Sequence, residues 1–202
     1  MIAIIDYGVG NLFSVEKAFV KLGADVVVTS DAACIAAADK IVLPGVGAFG
    51  DCMKNLTASG LIPAILSAVH AGKPLLGICV GLQILFAGSE ESPGVPGLGL
   101  LAGRVRKIRA DGLKIPHMGW NSLTMCPAEA DIDLFAGIHE GAYVYFVHSF
   151  HAEPEDPQIL SAYTRYGEQV TAAVAKGNIM ATQFHPEKSG DVGLALLKNF
   201  IQ

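Results

Sequence analysis

Lys73-Pro74-Leu75-Leu76-Gly77-Ile78-Cys79-Val80-Gly81-Leu82-Gln83 is an apolar run that reaches a cysteine and then changes to a helical texture. Glycines stand two positions before and two positions after Cys79. A buried strand that turns directly into a helix forces its turn residue into a strained backbone, and flanking glycines remove the side chains that would collide with it. This is the pattern of a nucleophile elbow. The helix N-terminus that follows favours an anion at the turn. The competing reading is an inert cysteine in a glycine-rich turn; Cys34, Cys52 and Cys126 lack such a frame and read as packing residues.

Outward from this elbow, Ile2–Asp6, Val26–Thr29, Ile41–Leu43 and Pro74–Ile78 are short apolar runs, three of them closely followed by glycine, as buried parallel strands are. Helical stretches separate them. Asn11 is placed to cap a helix whose Leu12, Val15, Phe19 and Leu22 share one stripe and which stops at Gly23. Leu61–Ala71 and Gly81–Ala87 continue the alternation. The order predicts an α/β fold: a doubly wound, mostly parallel sheet flanked by helices, with loops gathered at the strand carboxyl ends.

Gly88–Gly103 is rich in Gly, Pro and Ser, and a β-rich C-terminal half is expected beyond it. Its strand candidates are Val105–Ile108, Ser122–Met125, Tyr143–Val147, Leu160–Tyr163, Val170–Ala175 and Ile179–Phe184. Ser189 is placed to cap a final helix carrying Val192, Leu196 and Phe200 at fourfold spacing. There is no internal repeat, and residues 1–202 are expected to form one domain, since a chain this long buries roughly 70% of its unfolded surface.

The composition narrows the partners. Fourteen Lys and Arg against nineteen Asp and Glu give a net charge of −5, the wrong sign for attraction to a phosphate backbone, so no nucleic acid is expected. The chain is 51% hydrophobic, yet no apolar run approaches the roughly 18 residues of a membrane helix, and the opening Met-Ile-Ala-Ile-Ile-Asp lacks a basic leader. A cytoplasmic location, away from membranes and with reduced thiols, is the expectation.

A cysteine nucleophile needs a base and a group that orients it. Gln183-Phe184-His185-Pro186-Glu187 closes a strand candidate and offers both, because residues i and i+2 of an extended backbone face the same way. Pro44-Gly45-Val46-Gly47 follows another strand, and its glycines free backbone N–H groups to meet an oxyanion together with the N–H of Val80. Gly45-x-Gly47-x-x-Gly50 also matches a dinucleotide fingerprint, but that reading wants an acid about 20 residues on for the ribose. No Asp or Glu lies between Asp51 and Glu90.

His148 and His151 form an HxxH pair without a third ligand nearby, so no metal is expected. Arg104, Arg106, Lys107 and Arg109 read as a solvated strand face or a docking surface. Trp120 reads as a core anchor or, beside Gly119, as a loop residue.

Taken together, Gly77-Ile78-Cys79-Val80-Gly81-Leu82-Gln83, His185-Pro186-Glu187 and Pro44-Gly45-Val46-Gly47 resemble the class I, or triad, glutamine amidotransferases. Ile5–Asn11, His117-Met118-Gly119-Trp120-Asn121 and Tyr145-Phe146-Val147-His148-Ser149 narrow the resemblance, over nearly the whole chain, to the glutaminase subunits of imidazole glycerol phosphate synthase in histidine biosynthesis. The resemblance implies that Cys79, His185 and Glu187 form the triad, and that Val46, Gly47 and Val80 hold the oxyanion. It also implies that Gln83 and the main chain near Gly47, Ser149 and Phe150 hold the substrate glutamine, and that no cofactor is needed. A further implication is a (β/α)8 cyclase partner that docks over the site and receives ammonia, with Tyr7, Asn11, Trp120, Asn121, Tyr145 and Lys188 at the junction. Val80 and Phe150 depart from the leucine and tyrosine frequent at those positions, where the family uses main-chain groups.

Two other classes compete with this reading. An α/β-hydrolase esterase shares the elbow, but its chain order is nucleophile, acid, histidine, whereas Glu187 follows His185 here. A non-catalytic regulatory subunit with the same fold predicts no thioester with glutamine.

Overall fold

The computed structural model describes residues Met1–Gln202. The first half alternates strand and helix: β1 (Ile2–Ile5), α1 (Leu12–Lys21), β2 (Val26–Thr29), α2 (Ala32–Ala37), β3 (Lys40–Gly45), α3 (Phe49–Ser59), α4 (Ile62–His70), β4 (Leu75–Cys79) and α5 (Val80–Gln83). The second half is mostly strand: β5 (Gly103–Lys107), β6 (His117–Ser122), β7 (Thr124–Met125), β8 (Tyr143–His148), β9 (Phe150–Pro154), β10 (Leu160–Tyr166), β11 (Glu168–Lys176) and β12 (Ile179–Thr182), closed by α6 (Gly190–Ile201).

Eight strands form the main sheet in the order β2-β1-β3-β4-β12-β11-β10-β7. The pairs from β2 to β12 are parallel and those from β12 to β7 antiparallel. Two antiparallel ribbons, β5–β9 and β6–β8, stand apart from it. A cluster of 48 buried residues from Ile2 to Phe200 joins both halves through one core. No single helix is long and apolar enough to cross a membrane.

Asn11 caps α1 by accepting the Ser14 N–H at 3.4 Å, and Gly23 follows the helix at φ 78°, a conformation that favours glycine. Other expectations fail for tertiary reasons. The helix expected over Gly81–Ala87 stops at Gln83. Its next carbonyls, from Ile84, Leu85, Phe86 and Ala87, accept the N–H groups of Leu98, Leu101, Gly99 and Gly97 instead of those of a further helical turn. Ser189 precedes α6 but does not cap it; its hydroxyl donates to the His185 carbonyl at 2.7 Å and accepts the Tyr145 N–H at 3.0 Å. Ser122–Met125 is split at Leu123, so that β6 and β7 belong to different sheets.

Candidate active site

Three neighbouring strand ends build the site. β4 lies between β3 and β12, with Gly45 opposite Cys79 on one side and Thr182 opposite Ile78 on the other. All three run parallel, so the Pro44–Gly47 loop, Cys79 and the segment after Thr182 emerge at the same sheet edge. Cys79 has φ 57° and ψ −111° and is the one non-glycine residue with positive φ. Strain of this kind costs on the order of 1–3 kcal/mol and must be held in place by its surroundings. Here it is held by backbone packed on backbone: a Cβ on Gly81 would stand 1.9 Å from the Leu43 carbonyl oxygen.

His185 is buried, and its Nδ1 donates to Glu187 Oε1 at 2.7 Å. With Nδ1 committed, Nε2 is the nitrogen left to face Cys79. Burial opposes the imidazolium, but the hydrogen bonds to Cys79 and Glu187 and the charges there outweigh it and push the His185 pKa up to about 9. Glu187 Oε2 is buried without a partner, so this carboxylate directs its hydrogen bonding to His185 alone.

A cavity of about 410 Å³ opens over Cys79, of the size that holds a small molecule. Val46, Gly47, Val80, Gln83, Ser149, Phe150 and His185 all line it, while Glu187 lies behind the histidine ring. The loop carrying Gly47 is gripped from beneath: Tyr7 Oη donates to the Pro44 carbonyl at 2.7 Å and Cys52 Sγ to the Val46 carbonyl at 3.3 Å. With the Val46 carbonyl turned toward Cys52, the Gly47 N–H of the same trans peptide points the opposite way.

Glu91 and Gln183 escaped the sequence reading. Glu91 lines the cavity and accepts the Phe49 N–H at 2.8 Å, acting with Ser92 as a cap for α3 from about forty positions away. Nothing local marks it, because it sits in a loop whose place is set only by packing. Gln183 left a weaker signal, a polar residue closing an apolar run; it directly follows Thr182, the last residue of β12. It is fully buried, and its Nε2 donates to Cys79 Sγ at 3.8 Å.

Of the residues expected at a junction, Tyr7 is 4% exposed and fastened to Pro44, where it braces the loop from within. Asn11 is half-buried at its cap, and Lys188 is exposed at the cavity rim. Trp120 is 55% exposed on β6, neither a core anchor nor a loop residue, with the Tyr145 ring edge-on at 6.2 Å. Met118, Trp120, Tyr143 and Tyr145 share the outer face of the β6–β8 ribbon, and Val147 on that face lines the cavity, so the apolar surface reaches the mouth of the site. Asn121 is half-buried on the inner register.

The HxxH pair diverges: His148 points to His117 and the Phe150 carbonyl, whereas His151 accepts the Thr171 N–H at 3.1 Å. The basic stretch is not a uniformly solvated face either. Arg106 makes a two-pronged pair with Glu168, both contacts at 2.8 Å, and a third contact with Glu153 at 3.0 Å.

A strained elbow cysteine, a raised histidine and a buried carboxylate at one parallel sheet edge define a class. The chain belongs to the glutamine amidotransferase class-I family, whose pattern it matches over residues 3–202. A glutamine amidotransferase crystal structure shares the fold with a TM-score of 0.76 at 19% identity, covering 100% of both chains. The structure of PurLQS from Thermotoga maritima does so with a TM-score of 0.72 at 21% identity, covering 98% of this chain and 95% of that one. The imidazole glycerol phosphate synthase subunit HisH of Methanothermobacter thermautotrophicus is 54% identical over 202 residues, covering 100% of this chain and 98% of the relative. That of Syntrophotalea carbinolica is 52% identical over 206 residues, covering 99% and 98%. Within the class, the chain is a member of the HisH family.

Proposed function

We propose that residues 1–202 form a single glutaminase domain that cleaves glutamine through Cys79, His185 and Glu187 and hands the ammonia to a (β/α)8 cyclase subunit in the cytoplasm. The observation that carries this reading is the His185–Glu187 contact of 2.7 Å beneath a strained cysteine in an amino-acid-sized cavity. Cys79 thiolate attacks the carboxamide carbon, and the N–H groups of Val80 and the Val46–Gly47 loop meet the oxyanion, each worth about 3–4 kcal/mol. The His185 imidazolium gives its Nε2 proton to the leaving nitrogen, and ammonia departs. Water then attacks the γ-glutamyl thioester with His185 as base, releasing glutamate and restoring Cys79.

Substrate orientation follows from the remaining polar groups. Both Nε2 hydrogens of Gln83 are committed, to the Phe150 carbonyl and to Gln183 Oε1, each at 3.0 Å, which leaves its Oε1 to accept a substrate N–H. The Glu91 carboxylate in the cavity wall suits the α-ammonium group of an amino acid. The apolar outer face of the β6–β8 ribbon, which carries Trp120 and Tyr145 and reaches the cavity at Val147, together with Lys188 at the rim, suits a partner that covers the site and keeps ammonia from water.

Gly47 sits at φ 86°, and a glycine loop of this kind has a second resting orientation in which its N–H leaves the cavity. The isolated chain is therefore expected to be a poor glutaminase that a liganded partner activates. A hundredfold gain needs about 2.7 kcal/mol of differential stabilisation. The test is glutamate release by the chain alone, with the cyclase, and with the cyclase plus its ligand, together with mass spectrometry for a γ-glutamyl adduct on Cys79. Equal rates in all three defeat the coupling; absence of the adduct under every condition defeats the thioester.

A further inference from the structure

A hydrogen-bonded chain crosses from the β6–β8 ribbon to the nucleophile. Asn121 Nδ2 lies 3.2 Å from His117 Nε2, and His117 Nδ1 lies 3.1 Å from His148 Nε2. His148 Nδ1 lies 2.8 Å from the Phe150 carbonyl, which also accepts Gln83 Nε2 at 3.0 Å. Gln83 Nε2 donates to Gln183 Oε1 at 3.0 Å, and Gln183 Nε2 to Cys79 Sγ at 3.8 Å.

The chain permits one arrangement of protons. A carbonyl only accepts, so His148 Nδ1 carries the hydrogen. Burial holds His148 neutral, its pKa pushed down to about 3, so its Nε2 must accept from His117 Nδ1. His117 is likewise kept neutral by burial, its pKa pushed down to about 4, so its Nε2 must accept from Asn121. Asn121 meets this demand: its other Nδ2 hydrogen goes to the Arg165 carbonyl at 3.1 Å, and its Oδ1 accepts the Ser122 N–H at 2.9 Å. At the far end, the two hydrogens of Gln83 turn Gln183 so that its oxygen faces Gln83 and its N–H faces the sulfur. Stacking of the His117 ring between Phe146, at 4.7 Å, and Tyr166, at 4.2 Å, holds the middle of the chain in register.

We propose that Gln183 is a further catalytic residue, donating to the Cys79 sulfur, that Gln83 fixes the direction of this donation, and that Asn121, His117 and His148 are a positioning relay from the ribbon that holds the Phe150 carbonyl on which Gln83 is anchored. The inference rests on Cys79 being the nucleophile. A donor aimed at sulfur stabilises the thiolate, and Gln83, anchored on the Phe150 carbonyl that His148 holds, keeps the amide of Gln183 from turning its oxygen toward that charge. Asn121 adjoins Trp120, so contact at the ribbon face has a physical route to the sulfur that is separate from the Pro44–Gly47 loop.

The relay is read directly on the full wild-type chain by long-range proton–nitrogen NMR of its histidines. Both His117 and His148 are expected as the neutral Nδ1–H form at pH 7; an Nε2–H form of either overturns the relay. The donor is tested by the rate at which iodoacetamide alkylates Cys79, followed by peptide mass spectrometry. Gln183→Met is expected to slow alkylation at pH 7 about tenfold and to move its pH profile upward, with a similar fall in kcat and little change in KM. Asn121→Asp, which has no hydrogen to give His117, is expected to shift the profile the same way by about threefold while the thermal midpoint holds. An unchanged profile in folded Gln183→Met overturns the donor. Glutaminase turnover retained by Cys79→Ala brings down the underlying nucleophile assignment, an outcome distinct from both.

Discussion

The parallel end of the main sheet and the β6–β8 ribbon lie on either side of the same cavity, yet they are built in opposite ways. β3, β4 and β12 are buried along nearly their whole length, and the elbow presses so closely on β3 that even a methyl group at Gly81 has no room. The ribbon buries His117, Val144, Phe146 and His148 on its inner side and leaves Met118, Trp120 and Tyr143 exposed on its outer side. Close packing fixes reacting atoms to a fraction of an ångström, whereas an uncovered apolar face holds free energy in reserve for another surface. Chemistry is thus assigned to the rigid wall of the cavity and communication to the open one.

The sharpest way to break this division is Cys79→Ala. Glutamine hydrolysis is expected to vanish while the denaturation midpoint and association with the cyclase persist, since the elbow tolerates a smaller side chain and alanine keeps the same Cβ. Cys34→Ala and Cys126→Ala, assayed in parallel, serve as controls and should retain turnover.

Next in size is the contrast between His185→Ala and Glu187→Gln. The histidine variant loses the proton carrier and should fall to the residual rate of the oxyanion donors, whereas glutamine still accepts from Nδ1 and should lower kcat by about 10²–10³. Equal losses would show that orientation by Glu187 is the whole contribution of the pair. The raised His185 pKa sets a direction as well: its contribution to folding is complete below its ordinary value near 6.5 and is lost as pH rises through about 9. Glutaminase turnover should decline over that upper limb as the imidazolium that protonates ammonia disappears.

Trp120→Ala probes the open wall. At 55% exposure the indole contributes little to the fold, so the unfolding free energy should hold within about 0.5 kcal/mol. Affinity for the cyclase, measured by calorimetry, should drop about tenfold or more, as loss of an aromatic anchor does. Unchanged affinity would move the docking surface elsewhere.

The smallest effect is expected at Glu168, which does not line the cavity. Its hydrogen bonds to Arg106 hold its pKa down at about 2, so its stabilisation is present above the ordinary value of 4.5 and is lost as pH falls toward 2. With 21% of the side chain exposed to screening water, Glu168→Gln should cost about 1–2 kcal/mol near neutrality and leave glutaminase turnover within about twofold. Destabilisation that vanishes in acid would confirm the pair as its source; destabilisation equal at all pH values would assign it to packing.

The sequence by itself determined the elements whose physics is local. Apolar runs at β1 to β4, the Asn11 cap, the Gly23 stop and the paired glycines around Cys79 are set by backbone sterics and by period, which neighbouring residues suffice to express. His185 and Glu187 were legible as a base beside an acid, but not for the reason the sequence suggests: the strand ends at Thr182, and a 3-10 turn over Pro186–Lys188, not an extended register, brings Glu187 to the His185 ring. Tertiary structure decided what depends on partners distant in the chain. α3 has no capping side chain of its own and borrows Glu91 and Ser92, so its start is invisible in its own residues. α5 ends after one turn because residues 97–101 take the carbonyls a longer helix would use. Tyr7 looks like a loop residue in sequence and becomes a buried brace only when β1 and β3 pair. The tautomers of His117 and His148 follow from the Phe150 carbonyl and from burial, neither of which exists in the unfolded chain; the fold alone gives each ring nitrogen its role.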